Sequence, residues 1–434
     1  MRQRAFLTLA FWQATSVEAF SSFCYRYKRT IGLGLLYNKL IILVKMIDRA
    51  MLATAKGAFA RFPAIAILGP RQSGKTTLAK MAFPELAYAN LEDPPTRAFA
   101  SADPVGFMAR YADGAIFDEI QHVPALFSFL QVRMDAAGRD GQYVLTGSHQ
   151  FNLMESIAQS LAGRVALLKL LPFSLVELAV AHMTSHQSLD EVIFRGGYPR
   201  AWRTAARADE VYLSYLETYV ERDVRLLLNI KDSDLFRRFL MLIASRSGQL
   251  LNKDSLGRDA GLNTKTVDAW LAVLEASFVV AKLQPYHANL GKRLIKSPKI
   301  YMLDTGLACH LLRIERAHQL TTHPLRGELF ETLIVSELLK MRFNAGRAPN
   351  LYFYRDSADR EVDVILEYSD GIYPIEIKAS QTYHESFATN LRPFASKSPL
   401  GQAVVLGGGA REQRGDLQVI PWQDWAGHAQ ALEL

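Results

Sequence analysis

The feature that most constrains the fold is a glycine-containing stretch, Gly69–Thr77, which lies between an apolar run and a helix-forming segment. The apolar run Ala64–Leu68 has the length and composition of a buried strand. The stretch fits G-x-x-x-x-G-K-[ST], in which glycines let successive backbone N–H groups point at one anion and the new helix adds its positive end. A strand, this loop and a helix predict an α/β fold with a loop that binds nucleotide phosphates.

The loop also assigns roles to side chains. Lys75 is expected to reach the β- and γ-phosphates of ATP and to act in catalysis, and the Thr76 hydroxyl is expected to hold Mg²⁺. The residues expected to line the nucleotide are Gly69, Pro70, Arg71, Gln72, Ser73, Gly74, Lys75, Thr76 and Thr77.

An acidic pair follows the predicted third strand, Ala115–Phe117. Such a pair alone is usually a solvated strand end. About forty residues after the lysine of a phosphate loop, it favours a catalytic interpretation. We expect Asp118 to hold Mg²⁺ through water and Glu119 to polarise the attacking water.

Two further residues are predicted near the γ-phosphate. Ser148 follows the fourth strand, which we expect between the first and third, and it either senses the nucleotide or caps the next helix. Arg164 precedes the fifth strand, Val165–Leu171. It is either an arginine finger, for its own nucleotide or that of a neighbour in a homo-oligomer, or a plain surface residue.

These signals predict five regions and an overall fold class. A P-loop NTPase with a parallel sheet flanked by helices is expected to carry a helical lid, a winged helix-turn-helix and a C-terminal α/β domain. The lid includes a long helix over Asp209–Ile230. The predicted boundaries are 1–45 (an N-terminal extension), 46–180 (the ATPase core), 181–245 (the lid), 246–310 (the winged helix) and 325–434 (the C-terminal domain).

The net charge of +7 does not by itself indicate a nucleic-acid partner. Residues 1–45 carry seven Lys/Arg and one acid, and the remainder has 43 basic and 42 acidic residues. The extension is a targeting segment, a membrane helix over Thr30–Val44 that is short and interrupted, or an over-extended reading frame or disordered tail, the reading we prefer. With two cysteines and no convincing export signal, we expect a cytoplasmic protein without a membrane partner.

Residues 246–303 have a helix-turn-helix pattern. A short helix ends in a glycine turn at Gly261, and Asn263 caps a second helix over Thr264–Phe278. The basic segment Lys282–Lys299 contains no acid and resembles the wing of a winged helix. Contact with double-stranded DNA and a purely structural module remain alternatives, because Asp268 on the second helix would repel phosphate.

The C-terminal region places acids and a lysine at intervals that suit metal chemistry. Glu331 lies on a predicted helix, Asp363 on one strand, and Glu376 and Lys378 two apart on the next. The three acids would gather a Mg²⁺, and Lys378 would steady developing negative charge, as in phosphodiester cleavage. The alternative is an ordinary amphipathic strand.

The chain from Met46 resembles prokaryotic AAA-type ATPases (AAA_14) with a C-terminal DUF4143 domain. The segments that carry this resemblance are Gly69–Leu78, Phe117–Gln121, Leu145–Ser148, Ser160–Val165, Gly196–Pro199, Lys292–Lys299, Asp304–Leu307, Glu361–Asp363 and Glu376–Lys378. The C-terminal part also resembles PD-(D/E)XK nucleases. That resemblance implies catalytic positions at Asp363, Glu376 and Lys378, with Glu331 as the helical acid.

Two classes of function follow. One is a Mg-dependent ATPase whose cycle controls a DNA-binding and DNA-cleaving C-terminal domain. The other is a nucleotide-dependent switch that binds nucleic acid or a protein without cutting.

Overall fold

The computed structural model describes residues 47–148, 157, 159–204, 207–218, 220, 230, 232–286, 297–356, 358 and 360–432. All elements below belong to one compact unit, Arg49–Leu434. The predicted N-terminal extension, residues 1–45, lies outside the described residues. Within the described part, no helix is both long and apolar enough to cross a membrane.

A five-stranded parallel sheet forms the N-terminal part. Its order is β2-β3-β4-β1-β5, so the fourth strand lies between the first and third, as predicted. The strands are β1 (Ala64–Leu68), β2 (Ala87–Asn90), β3 (Ala115–Asp118), β4 (Tyr143–Gly147) and β5 (Val165–Lys169). The helices are α1 (Leu52–Phe59), α2 (Lys75–Ala82), α3 (Pro94–Ala102), α4 (Pro104–Arg110) and α5 (Leu126–Ala137).

Helices cover both faces of this sheet because neighbouring strand residues point to opposite sides. Ile116 on β3 joins the core with Leu78 of α2. The next residue, Phe117, faces the other way and packs against Phe107 of α4, with ring centroids 5.6 Å apart. The parallel α/β sheet predicted from five apolar runs is therefore confirmed.

The middle region is helical, as predicted. Its helices are α6 (Leu175–Val180), α7 (Leu189–Arg195), α8 (Pro199–Arg203), α9 (Ala208–Tyr215) and α10 (Ser233–Ala244). Only the first part of the long helix predicted over Asp209–Ile230 is described as α-helix, and residues 219 and 221–229 lie outside the description. Tyr212 on α9 donates a hydrogen bond to the Arg195 carbonyl, which packs α9 on α7.

The helix-turn-helix comprises α11 (Lys253–Ala260) and α12 (Thr264–Ala276). Gly261 takes the left-handed conformation that ends α11, and the Asn263 side chain accepts a hydrogen bond from the Thr266 amide to cap α12. Strands β6 (Gln249–Leu250), β7 (Val280–Pro285) and β8 (Lys299–Met302) pair antiparallel beside these helices. Most of the predicted wing, residues 287–296, lies outside the described residues.

The C-terminal region continues the same sheet. Its helices are α13 (Thr305–Leu311), α14 (Arg326–Asn344) and α15 (Trp422–Ala431), and its strands are β9 (Leu351–Arg355), β10 (Glu361–Glu367), β11 (Ile372–Lys378), β12 (Gln402–Leu406), β13 (Glu412–Arg414) and β14 (Leu417–Pro421). Strand β7 pairs parallel with β9 through Gln284 and Pro285, which gives a nine-stranded sheet. The sheet therefore crosses the predicted boundary between 246–310 and 325–434, because β7 uses both of its edges.

Candidate functional site

The phosphate-binding loop joins the end of β1 to the start of α2. A side chain at Gly69 would meet the Leu170 carbonyl oxygen at 2.1 Å, so only glycine fits there. Gln72 and Gly74 both have positive φ, 61° and 97°. Between them the Ser73 hydroxyl is buried and has no hydrogen-bond partner among the described residues. A tightly curled loop with an unsatisfied polar atom inside suits a polar ligand.

Lys75 lies inside this loop. Its Nζ donates hydrogen bonds to the carbonyls of Gly69 (3.1 Å) and Pro70 (3.0 Å) and to the Ser148 hydroxyl (2.8 Å). The nearest carboxylate oxygen in its ion pairs, Glu119 Oε1, is 4.0 Å away. Burial lowers the pKa of Lys75, and Glu119 only partly opposes this. The ammonium is thus desolvated and held by neutral oxygens, which favours an added anion.

Thr76 and Asp118 meet at the same edge of the sheet. The Thr76 hydroxyl donates to the Asp118 carboxylate, with oxygen–oxygen distances of 2.9 and 3.0 Å. Tyr88 donates to Asp118 Oδ2 at 2.8 Å, and Thr146 donates to Oδ1. The hydroxyl and carboxylate oxygens that Mg²⁺ prefers are therefore adjacent, so these residues fit the ion. Among them, Tyr88 and Thr146 are contacts that sequence reasoning missed.

Glu119 has an unusual backbone and a crowded carboxylate. Its φ of 54° is left-handed, a conformation that costs a non-glycine residue energy and clusters at functional sites. Ser148 donates through its hydroxyl (2.6 Å) and its amide (3.1 Å), and Gln121 donates at 2.5 Å. Burial opposes ionisation, but Lys75 and these hydrogen bonds lower the pKa of Glu119 to about 2.

Arg49, which no motif marks, holds the loop from behind. Its guanidinium donates to the Ser73 carbonyl (2.6 Å), the Leu171 carbonyl (2.7 Å) and the Glu177 carboxylate (2.8 Å). The residue is only 5% exposed. Arg49 therefore ties the phosphate loop to the segment after β5, and no local signal in the sequence could have revealed it.

Arg164 lies at the opposite edge of the sheet from the loop. Its carbonyl accepts from the Ala64 amide, at the amino end of β1, whereas the loop leaves the carboxyl end. Its guanidinium binds Asp135 at 2.6 and 2.9 Å. In this conformation Arg164 therefore lies at the amino end of β1, away from the loop of its own chain, and contact with its own γ-phosphate stays a prediction. Contact with a neighbour's nucleotide stays a prediction.

A second cluster lies in the nine-stranded sheet. We call it the acidic centre, and its members are Glu331, Glu361, Asp363, Glu376, Lys299 and Lys378. Lys378 Nζ lies 2.6 Å from Glu376 Oε1 and 3.3 Å from Asp363 Oδ2. The Ile377 amide also donates to Asp363, at 2.7 Å. Three of the four predicted residues therefore come together.

Glu331 has a different partner from the predicted one. Its Oε1 accepts from Lys299 Nζ at 2.8 Å and from the Tyr301 hydroxyl at 2.6 Å. Lys299 also lies 2.6 Å from Glu361 Oε1. No group of three or more His, Cys, Asp or Glu in the described part of the chain has an arrangement that could hold a metal ion. The predicted gathering of Glu331, Asp363 and Glu376 around one ion is thus not formed in this conformation, because a lysine lies among the acids.

Burial raises the pKa values of two carboxyl groups in the acidic centre. Burial and the nearby Asp363 carboxylate raise the pKa of Glu331 to about 7. The same two causes raise the pKa of Glu376 to about 8. Glu376 Oε2 is buried and has no hydrogen-bond partner among the described residues. Glu331 and Glu376 are therefore buried carboxyl groups whose charge the nearby lysines offset only in part.

Family models match three segments of the chain. Residues 61–179 match an AAA domain. Residues 186–318 match a domain of unknown function, DUF8612, and residues 326–425 match another, DUF4143. The AAA domain contains the phosphate loop and the acidic pair at Asp118 and Glu119. The DUF4143 match contains four of the acidic centre's strand residues and Glu331, whereas Lys299 lies in the DUF8612 match.

Two curated relatives are each 31% identical to this chain over 336 residues, which is 76% of this chain and 73% of theirs. They are the uncharacterized proteins Rv2008c of Mycobacterium tuberculosis and Mb2031c of Mycobacterium bovis. Among solved structures, the Walker-type ATPase paby2304 of Pyrococcus abyssi matches 61% of this chain and 96% of its own, at 16% identity and a TM-score of 0.39. AMPPCP-bound DnaA from Aquifex aeolicus matches 52% and 85%, at 12% identity and a TM-score of 0.28. The chain thus belongs to the family of these mycobacterial proteins, as an AAA-type protein with a C-terminal DUF4143 domain.

Proposed function

We propose that this protein binds ATP in the Gly69–Thr77 loop and hydrolyses it with Mg²⁺. The observation that carries the proposal is the position of the Lys75 ammonium, which is buried between two carbonyls and a hydroxyl with no carboxylate in direct contact. An ammonium in that state gains more from a polyphosphate than one that is already paired. The loop amides around Ser73 would take the remaining phosphate oxygens.

Each polar residue then has one task. Lys75 would turn from the loop carbonyls to the β- and γ-phosphates, the Thr76 hydroxyl would hold Mg²⁺, and Asp118 would hold the ion through water. Bound Mg²⁺ supplies neutralisation of phosphate charge. Glu119, ionised at neutral pH, accepts a proton from the attacking water and orients it.

Ser148 is the proposed sensor of the nucleotide. Its hydroxyl accepts from Lys75 and donates to Glu119, so it links the phosphate-binding cation to the base. When phosphate draws Lys75 away, Ser148 loses one partner and Glu119 gains freedom to turn toward water. A cap for the following helix is the competing role, and residues 149–156 lie outside the described part.

Hydrolysis tests this assignment. Glu119→Gln keeps the shape and removes the base, so turnover should fall by about 10²–10⁴-fold while ATP binding persists. Glu85→Gln is the matched control, because Glu85 is an exposed acid of the same domain. Normal turnover in Glu119→Gln would contradict the role of Glu119 as base.

For the C-terminal region we propose a DNA-binding and DNA-cleaving domain under nucleotide control. Support for binding comes from helices α11 and α12 beside three antiparallel strands, the arrangement of a winged helix. Asp268, an obstacle to phosphate contact in the sequence, forms an exposed ion pair with Lys253 at 2.6 Å, which offsets part of its charge. Support for cleavage comes from Lys378 between Asp363 and Glu376, and from the unpartnered Glu376 oxygen.

A plasmid-nicking assay with Mg²⁺ or Mn²⁺ tests cleavage. Wild type is compared with Asp363→Ala and Lys378→Ala, and both variants should lose nicking. Cleavage by both variants at the wild-type level, or no cleavage by any of the three proteins, leaves the second class of function: a switch that binds nucleic acid or a protein partner.

A homo-oligomer in which Arg164 contacts a neighbour's nucleotide would require the Arg164 guanidinium to leave Asp135.

A further inference from the structure

The Lys299 ammonium occupies a position between two carboxylates from different elements. Lys299 begins β8, whereas Glu331 belongs to α14 and Glu361 to β10. Its Nζ lies 2.8 Å from Glu331 Oε1 and 2.6 Å from Glu361 Oε1. The lysine side chain is only 3% exposed. A cation is therefore buried at a point where carboxylate oxygens converge.

A second observation concerns a carboxylate of the acidic centre that its lysines satisfy only in part. Glu376 is 5% exposed, and its Oε2 is buried without a hydrogen-bond partner among the described residues. Its other oxygen binds Lys378, which also contacts Asp363. The centre therefore offers carboxylate oxygens that its two lysines do not satisfy, although buried acids normally have partners.

We propose that the acidic centre is a divalent-cation site whose metal position is filled by the Lys299 ammonium. Mg²⁺ and Mn²⁺ seek the same carboxylate oxygens as an ammonium group, at a typical distance of about 2.1 Å. Glu331 and Glu361 would ligate the ion, and Asp363 lies two residues along β10 from Glu361. An ammonium and a divalent ion cannot share this position, since they repel at such distances.

In this proposal, strand β8 controls whether a metal ion can enter the acidic centre. Lys299 reaches the centre from β8, which pairs with β6 and β7 of the helix-turn-helix unit, whereas the acids lie on α14, β10 and β11. Any event that withdraws the start of β8 also withdraws the resident cation and opens the site. This inference deepens the proposed C-terminal function and rests on it for its biological meaning, as the metal loading of a cleavage centre.

Manganese binding to the full chain, without nucleotide or nucleic acid, tests the proposal. Free Mn²⁺ is followed by its electron paramagnetic resonance signal for wild type, Lys299→Met and the control Lys282→Met. Lys282 lies on the paired strand β7 and forms an ion pair with Glu275 at 2.9 Å, away from the acidic centre. We expect Lys299→Met to bind one Mn²⁺ per chain at least about tenfold more tightly than the other two. Mn²⁺ should raise the melting temperature of this variant alone, and adding Glu331→Gln should remove both effects.

Equal Mn²⁺ affinity in wild type and a folded Lys299→Met would overturn the proposal. Tight binding that survives Glu331→Gln would overturn it too. Lys299→Gln, which keeps a donor toward Glu331, replaces the methionine variant if that variant does not fold. If neither folds in the presence of Mn²⁺, the lysine is an indispensable structural group and the proposal is wrong. Because no DNA is present, absence of nicking in the plasmid assay is a separate result.

Discussion

Lys75 and Lys299 are both buried, with side chains only 4% and 3% exposed, yet they have opposite surroundings. Lys75 contacts carbonyl and hydroxyl oxygens, and the carboxylate in its ion pair is 4.0 Å away. Lys299 contacts two carboxylates within 2.8 Å. Burial lowers the pKa of Lys75. Burial also acts on Lys299, but Glu331, Asp363 and Glu361 outweigh it and raise its pKa.

The phosphate loop thus holds a buried cation without a direct counter-ion, whereas the acidic centre provides two carboxylates for its buried cation. A desolvated cation without a direct counter-ion is costly, and an incoming polyphosphate relieves that cost. A cation between two carboxylates already has its partners, so a further cation must displace it. The phosphate loop therefore favours an added anion, whereas in the acidic centre the Lys299 ammonium already occupies the position between Glu331 and Glu361.

The largest expected effect is on stability. Lys299→Met leaves Glu331 and Glu361 without their shared cation, and should lower the free energy of unfolding by about 3–5 kcal/mol. Lys75→Met removes a poorly paired charge and should change it by less than about 1 kcal/mol. Urea unfolding of the apoprotein measures both. Similar losses of unfolding free energy in the two variants would contradict the difference between Lys75 and Lys299.

Arg49 should also matter for the phosphate loop. Arg49→Met leaves Glu177 buried without its cation and frees the Ser73 carbonyl, so unfolding free energy should fall by about 3 kcal/mol. ATP affinity should fall as well, because the loop loses its support. Arg164→Met is the control for stability alone: that arginine is partly exposed and binds exposed Asp135 and the Ala162 carbonyl, so little change in melting is expected. Unchanged melting in Arg49→Met would refute its role as a support.

The acids of the two sites predict opposite pH effects. The folded chain keeps protons on Glu331 and Glu376 to pH values near their raised pKa values of about 7 and about 8, whereas unfolded carboxyls lose them near 4.5. Their contribution to the free energy of unfolding is therefore complete below pH 4.5. It is lost as the pH rises to 8, so the free energy of unfolding should fall by at least ~2 kcal/mol over that range. Glu119, with a pKa of about 2, contributes above pH 4.5, and that contribution is lost as pH falls toward 2.

Urea unfolding at pH 5 and pH 8 checks this prediction. Glu331→Gln combined with Glu376→Gln should flatten the decline between these pH values, and Glu119→Gln should leave it unchanged. A decline that persists in the double variant would show that other groups cause it.

The smallest expected effect concerns Ser148. Ser148→Ala removes the hydroxyl between Lys75 and Glu119 but keeps the amide that donates to Glu119. Stability should change by about 1 kcal/mol or less, and ATP turnover by about tenfold or less. Steady-state kinetics that show a change in kcat without a change in KM would favour a sensor over a helix cap.

Contiguous features were predictable from the sequence. The phosphate loop, the acidic pair after β3 and the cap at Asn263 each depend on residues that are neighbours in the chain. Their side-chain requirements are local, so a motif is sufficient to locate them. The position of β4 between β1 and β3 is not a local feature, but it was predicted because the polar residues at the ends of these strands were expected to meet at one nucleotide.

The contacts that Lys299 and Arg49 make with distant segments were not predictable. Lys299 reaches Glu331 and Glu361 only because β7 joins two expected domains into one sheet. Arg49 reaches Glu177 across 128 positions of sequence. Neither lysine nor arginine carries a local pattern that specifies such a partner, so the sequence placed Lys299 in a basic wing and left Arg49 without a role.

Binding of MgATP to the full chain by titration calorimetry tests the central contrast most directly. We predict one ATP per chain for wild type, a loss of about a hundredfold in affinity for Lys75→Met, and no loss for Lys299→Met under conditions where that variant is folded. Absence of binding by wild type, or equal binding by Lys75→Met, would contradict the account of Lys75 as a cation that awaits a phosphate.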